Sequence, residues 1–189
     1  ITGYQSVDEV ENFPNVLNLI RDPRPMLTLY RENVTHAAVV DFVVNLTGNE
    51  EIARSILYWT DRYDMSLALV LSLAWTESRF DLDAINYNPT SIDRGVFQLN
   101  SVTFRHLSEA DFYHPHVNAL HALEYLAYCF DLGEDEATAV AIYNAGPGRV
   151  LRGQTPASTR RYVANILSFR EELENRFRSY ILRRFSAAG

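Results

Sequence analysis

The stretch "LAWTESRFDLDAI", residues 73–85, ends a long apolar run with a single carboxylate, Glu77. The run begins near Leu67, and its length and composition predict a buried helix. An apolar setting and the negative end of a helix dipole both disfavour a charged carboxyl group, so both raise the pKa of Glu77. A carboxyl that keeps its proton near neutral pH can act as a general acid. The alternative is an exposed glutamate with an ordinary pKa that merely ends the helix.

Composition limits the classes of protein to which the chain can belong. With 189 residues, of which 47% are apolar, it can bury the core of one domain, with or without an added helical lobe. A net charge of −7 argues against a nucleic-acid partner. No apolar stretch reaches the roughly 18–20 residues that a membrane-spanning helix needs, so we expect none.

The metal-ligand residue types give no reason to expect a metal or another cofactor. Cys129 is the only cysteine, which excludes an internal disulfide and a multi-cysteine metal site, and its apolar neighbours predict a small core residue. His114 and His116 flank Pro115 at a loop-to-helix boundary, and His121 follows five residues later. Nothing in this spacing makes the three imidazoles converge with a carboxylate, so no metal site is predicted.

Helical patterns dominate the chain, so the predicted fold class is mainly α. Helices are expected over 16–20, 36–46, 50–63, 64–77, 118–133, 134–143 and from 156 to about 180. Thr35, Asn49 and Asp64 are the expected N-caps of three of them. Residues 79–105 lose the periodicity and predict a loop, in which "VFQLN" (96–100) forms either a short strand or an extended edge. We expect an N-terminal helical region, 1–63, packed on a catalytic domain, 64–189.

Four motifs occur in order along the second part of the chain. They are "ESRF" at 77–80, "DRGVFQLNS" at 93–101, "YNAGPGRV" at 143–150 and "PASTRRYV" at 156–163. Together they resemble the superfamily of goose-type lysozymes and soluble lytic transglycosylases over roughly residues 64–168. The resemblance implies a lysozyme-like helical catalytic domain with a short β segment, acting on peptidoglycan glycan strands.

The same resemblance implies roles for the residues that match its motifs. Glu77 would protonate the leaving oxygen and then serve as the base. Ser78 would pack or hydrogen-bond behind it. Gln98 would line the sugar groove, with the Gly95 backbone allowing close approach. The alternative for Gln98 is an amide that braces its own loop.

Two further motifs would form the opposite side of the groove. Tyr143 and Asn144 would lie across it, with the phenol orienting Glu77 or the N-acetyl group of the substrate. The alternative for Tyr143 is a core aromatic that closes a helix. Thr159 and Tyr162 are expected to support the Tyr-Asn-Ala-Gly turn by packing, not to contact substrate.

Asp93 leaves the mechanism open at this point. The loop "NYNPTSIDRG" is longer than the usual family loop and resembles a variant found in secretion- or motility-associated members and in chicken-type lysozymes, where an Asp is the second catalytic carboxylate. A hydrolysing glycosidase generally needs two carboxylates. A lytic transglycosylase needs one, because the N-acetyl oxygen of its substrate assists. Asp93 is thus either a second carboxylate or a loop brace.

The resemblance leads to three hypotheses of function. The first is a lytic transglycosylase that cleaves the MurNAc–GlcNAc bond and leaves 1,6-anhydromuramoyl ends. The second is a muramidase that hydrolyses the same bond with Asp93 as second carboxylate, and the third is a non-catalytic glycan-binding protein. Such a protein works in the periplasm or at the cell surface, so we expect export, with a signal peptide absent from this sequence and a cell-wall or secretion- or motility-machinery partner possible.

Overall fold

The computed structural model describes residues 13–186, and over that range the protein is mainly helical, as predicted. The helices are α1 (Phe13–Leu19), α2 (Pro25–Arg31), α3 (Asn33–Thr47), α4 (Glu50–Arg62), α5 (Leu67–Ser78), α6 (Glu109–Tyr113), α7 (Pro115–Leu132), α8 (Glu136–Ala145), α9 (Pro147–Val150) and α10 (Ala157–Ser186). Three short strands, β1 (Ile85–Tyr87), β2 (Ile92–Arg94) and β3 (Leu99–Asn100), lie between α5 and α6.

Helix α5 is the centre of the fold. Every residue from Leu67 to Ala74 is buried, which is why this helix is apolar on all sides. It packs against α10, α4 and α2. Its first turn is capped by Ser66, whose hydroxyl accepts a hydrogen bond from the Leu69 amide. It ends at Arg79, which has a left-handed backbone with φ of +58°, so Glu77 lies in its last turn.

The segment predicted as a loop contains a small antiparallel sheet. The strand order is β1-β2-β3, and the register places Asn86 opposite Asp93 and Asp93 opposite Asn100. The predicted strand over 96–100 is wrong except for Leu99 and Asn100. Strands β1 and β2 were not predicted, because each has only three residues and shows no alternation of buried and exposed positions.

Two of the three predicted helix caps are wrong. Asn49 is confirmed, since its side chain accepts from the Glu51 and Ile52 amides. Thr35 lies buried inside α3, where its hydroxyl donates to the Leu29 carbonyl. Asp64 has φ of +50° and forms ion pairs with arginines of the N-terminal region instead of capping α5.

Two further differences from the prediction involve prolines. Helix α7 begins at Pro115, three residues before the expected start, because proline is accepted in a first helical turn where its missing N–H costs nothing. Helix α2 likewise begins at a proline, Pro25. It was not predicted, because the prolines of this stretch indicated irregular structure. The short helix α6 before α7 was not predicted either.

The N-terminal helices and the helices of the site share one hydrophobic core. That core includes Val16 and Leu29 from the first part of the chain and Phe177 and Ile181 from α10. Cys129 is buried, as predicted, and its burial raises the pKa of the thiol to about 12. Along residues 13–186 no helix combines the length and the apolar character that crossing a membrane requires.

Candidate active site

A cleft of about 1150 Å³ opens between the end of α5, the three-stranded sheet and the end of α8. The residues that line it include Glu77, Ser78, Arg79, Asp81, Asp83, Asn86, Asn88, Asp93, Gln98, Asn100, Phe104, Tyr125, Tyr143 and Asn144. Six of the seven predicted site residues are among them. Gly95 is the exception.

Glu77 is a partly buried side chain in this cleft, and its pKa is perturbed as the sequence predicted. Burial raises the pKa of Glu77 to about 7, and the negative charge of Asp93 adds to the rise. A hydrogen bond from Tyr162 acts in the opposite direction but does not cancel it. Glu77 is therefore protonated in a large fraction of molecules at neutral pH, which rules out the reading of an ordinary exposed glutamate.

The phenol bonded to Glu77 belongs to Tyr162, which the sequence analysis expected only to pack. The Tyr162 hydroxyl donates to Oε1 of Glu77. The Tyr143 hydroxyl instead donates to the Phe97 carbonyl at 3.1 Å. Burial, followed by the nearby Glu77 charge, raises the pKa of both phenols well above the usual range, so both remain donors.

Tyr162 was missed because its position in the sequence looks like core. It begins the apolar stripe of α10 and lies 85 residues from Glu77. The packing of α10 on α5 brings the two together. The one available signal was the hydroxyl itself, because a buried tyrosine needs a hydrogen-bond partner.

Gly95 allows a close approach, but the approaching group belongs to the protein. The residue has φ of +75°, and a Cβ there would lie 2.2 Å from the Phe112 carbonyl oxygen and 2.6 Å from Nδ2 of Asn118. Phe112 and Asn118 thus occupy the space beside Gly95 that a side chain would need, and Gly95 is not among the residues that line the cleft. Ser78 also fixes this loop, because its hydroxyl donates to the Val96 carbonyl at 2.8 Å.

Asn118 is a structural residue of the site that the sequence analysis recorded only as a helix start. Its fully buried amide accepts from the Phe97 N–H at 2.9 Å and donates to the carbonyls of Phe112 and Arg94, at 2.9 and 3.2 Å. Three backbone groups of the loop and of α6 thus converge on one side chain. A polar residue on the buried face of an apolar helix was the signal for this role.

Gln98 lines the cleft and braces its loop at the same time. Its Nε2 donates to the carbonyls of Ala84 and Gly95, at 3.1 and 3.0 Å. Its backbone has φ of +48°, a conformation that non-glycine residues seldom adopt. These two hydrogen bonds fix the side chain in place, and the amide oxygen of Gln98 remains as the atom that can accept a hydrogen bond from a ligand.

Asp93 is surrounded by amides from the neighbouring strands. Its Oδ1 accepts from Asn100 Nδ2 at 2.7 Å. Its Oδ2 accepts from Asn88 Nδ2 at 2.7 Å and from Asn86 Nδ2 at 3.4 Å. Three amide donors thus reach Asp93, whereas Glu77 accepts from one phenol.

Asn144 faces the cleft from the other side, at the end of α8. The Thr159 hydroxyl donates to Oδ1 of Asn144 at 2.7 Å. Because Oδ1 of Asn144 accepts this bond, Nδ2 of Asn144 is the group that can donate to a ligand. Thr159 is buried and supports the turn from within, in the place the sequence analysis expected.

Two aromatic residues at one end of the cleft were not singled out by sequence. Phe104 and Tyr125 line it, and the Tyr125 ring lies 5.4 Å from the Tyr143 ring. Burial raises the pKa of Tyr125 to about 12. Tyr125 stacks in turn on Tyr128, with centroids 6.0 Å apart. In a helix with many apolar and aromatic positions, sequence alone does not distinguish cleft-lining rings from core rings.

The histidines do not assemble into a ligand set. His116 packs its ring against Tyr58 and Trp59, and His121 contacts Glu124. Across the residues that the structure describes, no group of three or more His, Cys, Asp or Glu side chains is placed to hold a metal ion.

Comparison with protein families gives one match, which covers the whole site. The family model described as "Transglycosylase SLT domain" matches residues 54–164, more than half of the chain. The matched range includes every residue discussed above from Glu77 to Tyr162. Comparisons with curated proteins and with solved structures returned no match.

Proposed function

Because the chain belongs to the family of the Transglycosylase SLT domain, we propose that it is a lytic transglycosylase that cleaves the MurNAc–GlcNAc bond of peptidoglycan. At the level of the family, this domain indicates lytic-transglycosylase-type activity on peptidoglycan. The proposal goes further, since it assigns the residues that carry the reaction and the product that results.

The protonated Glu77 carboxyl carries the proposal. It lies in a long open cleft, and its pKa of about 7 allows it to hold a proton at the pH at which it works. In the first step it donates this proton to the glycosidic oxygen, and the bond from C1 of MurNAc to that oxygen breaks. The N-acetyl oxygen of the same MurNAc attacks C1 and takes up the developing positive charge.

In the second step Glu77 acts as the base. The carboxylate removes the proton from the C6 hydroxyl of MurNAc, and O6 attacks C1. The bond from C1 to the N-acetyl oxygen breaks, which gives the 1,6-anhydro ring. Glu77 regains its proton, so no water is consumed and one residue suffices as acid and base.

Neighbouring side chains position these steps. Tyr162 holds Oε1 of Glu77, which leaves Oε2 to exchange the proton, and its bond strengthens when Glu77 becomes charged. Asn144 Nδ2 and the Gln98 amide oxygen are free to bind sugar hydroxyl or N-acetyl groups. Tyr143 forms part of the cleft wall beside them.

The muramidase remains the second candidate because of one observation. Asp93 lines the same cleft and is near enough for its charge to raise the pKa of Glu77. In that alternative Asp93 is the second carboxylate, and water completes the reaction. Against it, the three amides that donate to Asp93 belong to the adjacent strands and to the turn between β1 and β2, which suits a brace.

Mass spectrometry of digested peptidoglycan separates the hypotheses. A transglycosylase releases fragments with anhydro ends, one water lighter than the products of hydrolysis. Ordinary reducing ends would identify a muramidase. Binding without release of any fragment would identify the third hypothesis, a non-catalytic glycan-binding protein. The Glu77→Gln variant is the control, since it should bind glycan but release nothing in either enzymatic case.

The substrate also implies where the protein works. Peptidoglycan lies in the periplasm or cell wall, so we place the protein there or at the cell surface, with the glycan strand as its partner. A cell-wall, secretion or motility assembly is a further partner consistent with the Asp93-containing loop. Fractionation of cells, with detection of the protein in the periplasmic fraction, tests this placement.

A further inference from the structure

One segment of this acidic protein carries only positive charge. Residues 137–170 contain five arginines and no aspartate or glutamate, although the chain as a whole has a net charge of −7. Four of these arginines, Arg149, Arg152, Arg160 and Arg161, are exposed and lie around α9 and the first turns of α10. We refer to these four residues as the arginine surface.

The arginine surface lacks the acidic partners that other arginines of the protein have. Arg24 and Arg31 pair with Asp64, for example, whereas none of the four forms an ion pair within residues 13–186. Arg160 donates only to the backbone carbonyl of Thr155. Every basic residue of the chain is an arginine, and the guanidinium group binds carboxylates in a two-pronged geometry. The surface is thus suited to an anion that the protein itself does not supply.

A second, smaller pocket adjoins the arginine surface. It has a volume of about 270 Å³ and lies between α8, α9 and α10. Ala137, Ala141, Val150 and Val163 form its apolar part, and Arg160 and Thr155 also line it. Asp135 lines it as well, but one of its oxygens accepts from the Thr138 amide as the cap of α8. Small apolar side chains with a carboxylate beside them match this combination.

The small pocket and the catalytic cleft share one face of α8. Ala137, Ala141 and Asn144 are spaced i, i+4 and i+7, so they lie in one row along the helix. Asn144 lines the cleft, while Ala137 and Ala141 line the pocket. At about 1.5 Å per residue, the row from Ala137 to Asn144 is about 10 Å long. Three residues of extended peptide span about 10 Å.

We propose that the small pocket and the arginine surface bind the peptide stem of the glycan strand, with Arg160 binding a stem carboxylate. Each stem leaves the lactyl group of a MurNAc as a short peptide that contains alanine residues and free carboxylates, which match the apolar part of the pocket and the guanidinium groups. The inference rests on the function proposed above, because it takes a MurNAc bound near Asn144 as the starting point of the stem. It makes the protein selective for stem-bearing strands.

Binding to the inactive Glu77→Gln variant provides the direct test. By calorimetry, a chain of two disaccharides bearing tripeptide stems should bind about three- to tenfold more tightly than the same sugars without stems. The triple variant Arg149→Ala, Arg152→Ala, Arg160→Ala, made in the same background, should lose this difference and retain the affinity for bare sugars. Stems whose carboxylates are amidated should bind like bare sugars.

A matched control triple removes the same charge elsewhere. Arg21, Arg62 and Arg183 are exposed and form no ion pair among the described residues, so their replacement by Ala should leave the preference for stems intact. Equal affinity for stem-bearing and bare sugars in the parent would overturn the proposal, as would equal losses in both triples. A loss in the first triple that is equal for both sugars would also overturn it, and would indicate general attraction to polyanions.

Turnover separates this inference from the proposed function. With the active protein, the first triple should slow digestion of stem-bearing strands by the same factor and leave strands stripped of stems by an amidase unaffected. If the active protein forms no anhydro ends from either strand, the proposed function fails, yet the calorimetric comparison still decides whether stems bind.

Discussion

Glu77 and Asp93 lie in the same cleft, but on two walls that give a carboxyl group opposite surroundings. We call the end of α5 with Tyr162 the helical wall, and the three-stranded sheet the sheet wall. On the helical wall Glu77 lies in the last turn of α5 and accepts from a single phenol, and burial raises its pKa to about 7. The sheet wall gives Asp93 amide donors from Asn86, Asn88 and Asn100. The residue types are similar, so the different surroundings of the two carboxyl groups come from the elements on which they lie.

The comparison explains why one carboxyl suffices for the reaction proposed here. The last turn of α5 follows eight buried residues, and burial is the main cause of the raised pKa of Glu77. Asp93 lies in a sheet, and side-chain amides donate to both of its oxygens. The charge of Asp93 then contributes to the protonation of Glu77 across the cleft.

The largest effect should follow removal of the acid from the helical wall. Glu77→Gln keeps an oxygen for the Tyr162 hydroxyl but has no proton to transfer, so the rate of release of anhydro products should fall by about 10² to 10⁴. Mass spectrometry over a time course measures this rate. A variant with more than a tenth of the parent rate would show that Glu77 is not the acid.

The same variant should be more stable than the parent at alkaline pH. Ionisation of Glu77 opposes folding, because its pKa is about 7 in the folded state and 4.5 in a model compound. The folded state binds more protons between these values, so this cost appears as the pH rises from 4.5 to 7 and is complete above 7, where it is on the order of 3 kcal/mol. Denaturant unfolding should show a gain for Glu77→Gln at pH 8 and none at pH 4. An equal difference at both values would contradict a buried acid.

The next largest effect concerns Gly95, which lies between β2 and β3 of the sheet wall. Gly95→Ala places a Cβ 2.2 Å from the Phe112 carbonyl oxygen, so the unfolding free energy should fall by about 3 kcal/mol or more. Gly48→Ala is the matched control, since it has a similar φ of +67° and nothing within 4 Å of the added Cβ. Its cost should be about 1–2 kcal/mol, from the left-handed backbone alone. Equal losses in the two variants would remove the argument from close packing at Gly95.

A smaller effect is expected from the phenol on the helical wall. Tyr162→Phe removes the hydrogen bond that lowers the pKa of Glu77, so that pKa should rise. The alkaline limb of the pH–rate profile should then move to higher pH. The rate at pH 6 should fall about tenfold, because the bond also stabilises the carboxylate that forms in the reaction. Tyr143→Phe serves as control: its phenol donates to Phe97, so the limb should stay in place. A shift in the control but not in Tyr162→Phe would reverse the two assignments.

The smallest effect is expected on the sheet wall. Asp93→Asn removes the charge that raises the pKa of Glu77, so the alkaline limb should move downward while the rate falls less than about tenfold. Asp83→Asn removes a charge from the same cleft and should leave the limb unchanged. A loss of 10³ or more in Asp93→Asn, with ordinary reducing ends in the remaining product, would favour the muramidase.

The sequence predicts the helical wall better than the sheet wall, for a physical reason. The burial of an apolar run can be read from consecutive residues, so residues 67–77 predict α5, although for Glu77 they leave a raised and an ordinary pKa both open. The sequence did not predict the N-cap of that helix, because Asp64 and Ser66 are both good capping residues. Asp64 forms ion pairs with Arg24 and Arg31, and Ser66 caps the helix instead. The ring of amides around Asp93 depends on a register between strands, which three-residue strands do not reveal.

Contacts between distant parts of the chain account for the remaining differences. Tyr162 was taken for a packing residue because its helix stripe is apolar, and only the docking of α10 on α5 gives it Glu77 as a partner. Gly95 was expected to allow a close approach, and the groups that approach it are the Phe112 carbonyl and the Asn118 side chain. In both cases the partner was set by tertiary packing, which the sequence does not reveal.

Helix α10 runs for 30 residues, from Ala157 to Ser186, and serves two ends of the molecule at once. Near its start it presents Tyr162 to the acid, and near its finish Phe177 and Ile181 enter the core shared with α1 and α2. The N-terminal helices therefore help to hold α10 in the position that brings Tyr162 to Glu77. Helix α10 is about 45 Å long at about 1.5 Å per residue, and a truncation that removes α1 and α2 would expose the apolar side of its second half. Activity should then fall although no residue of the cleft has changed.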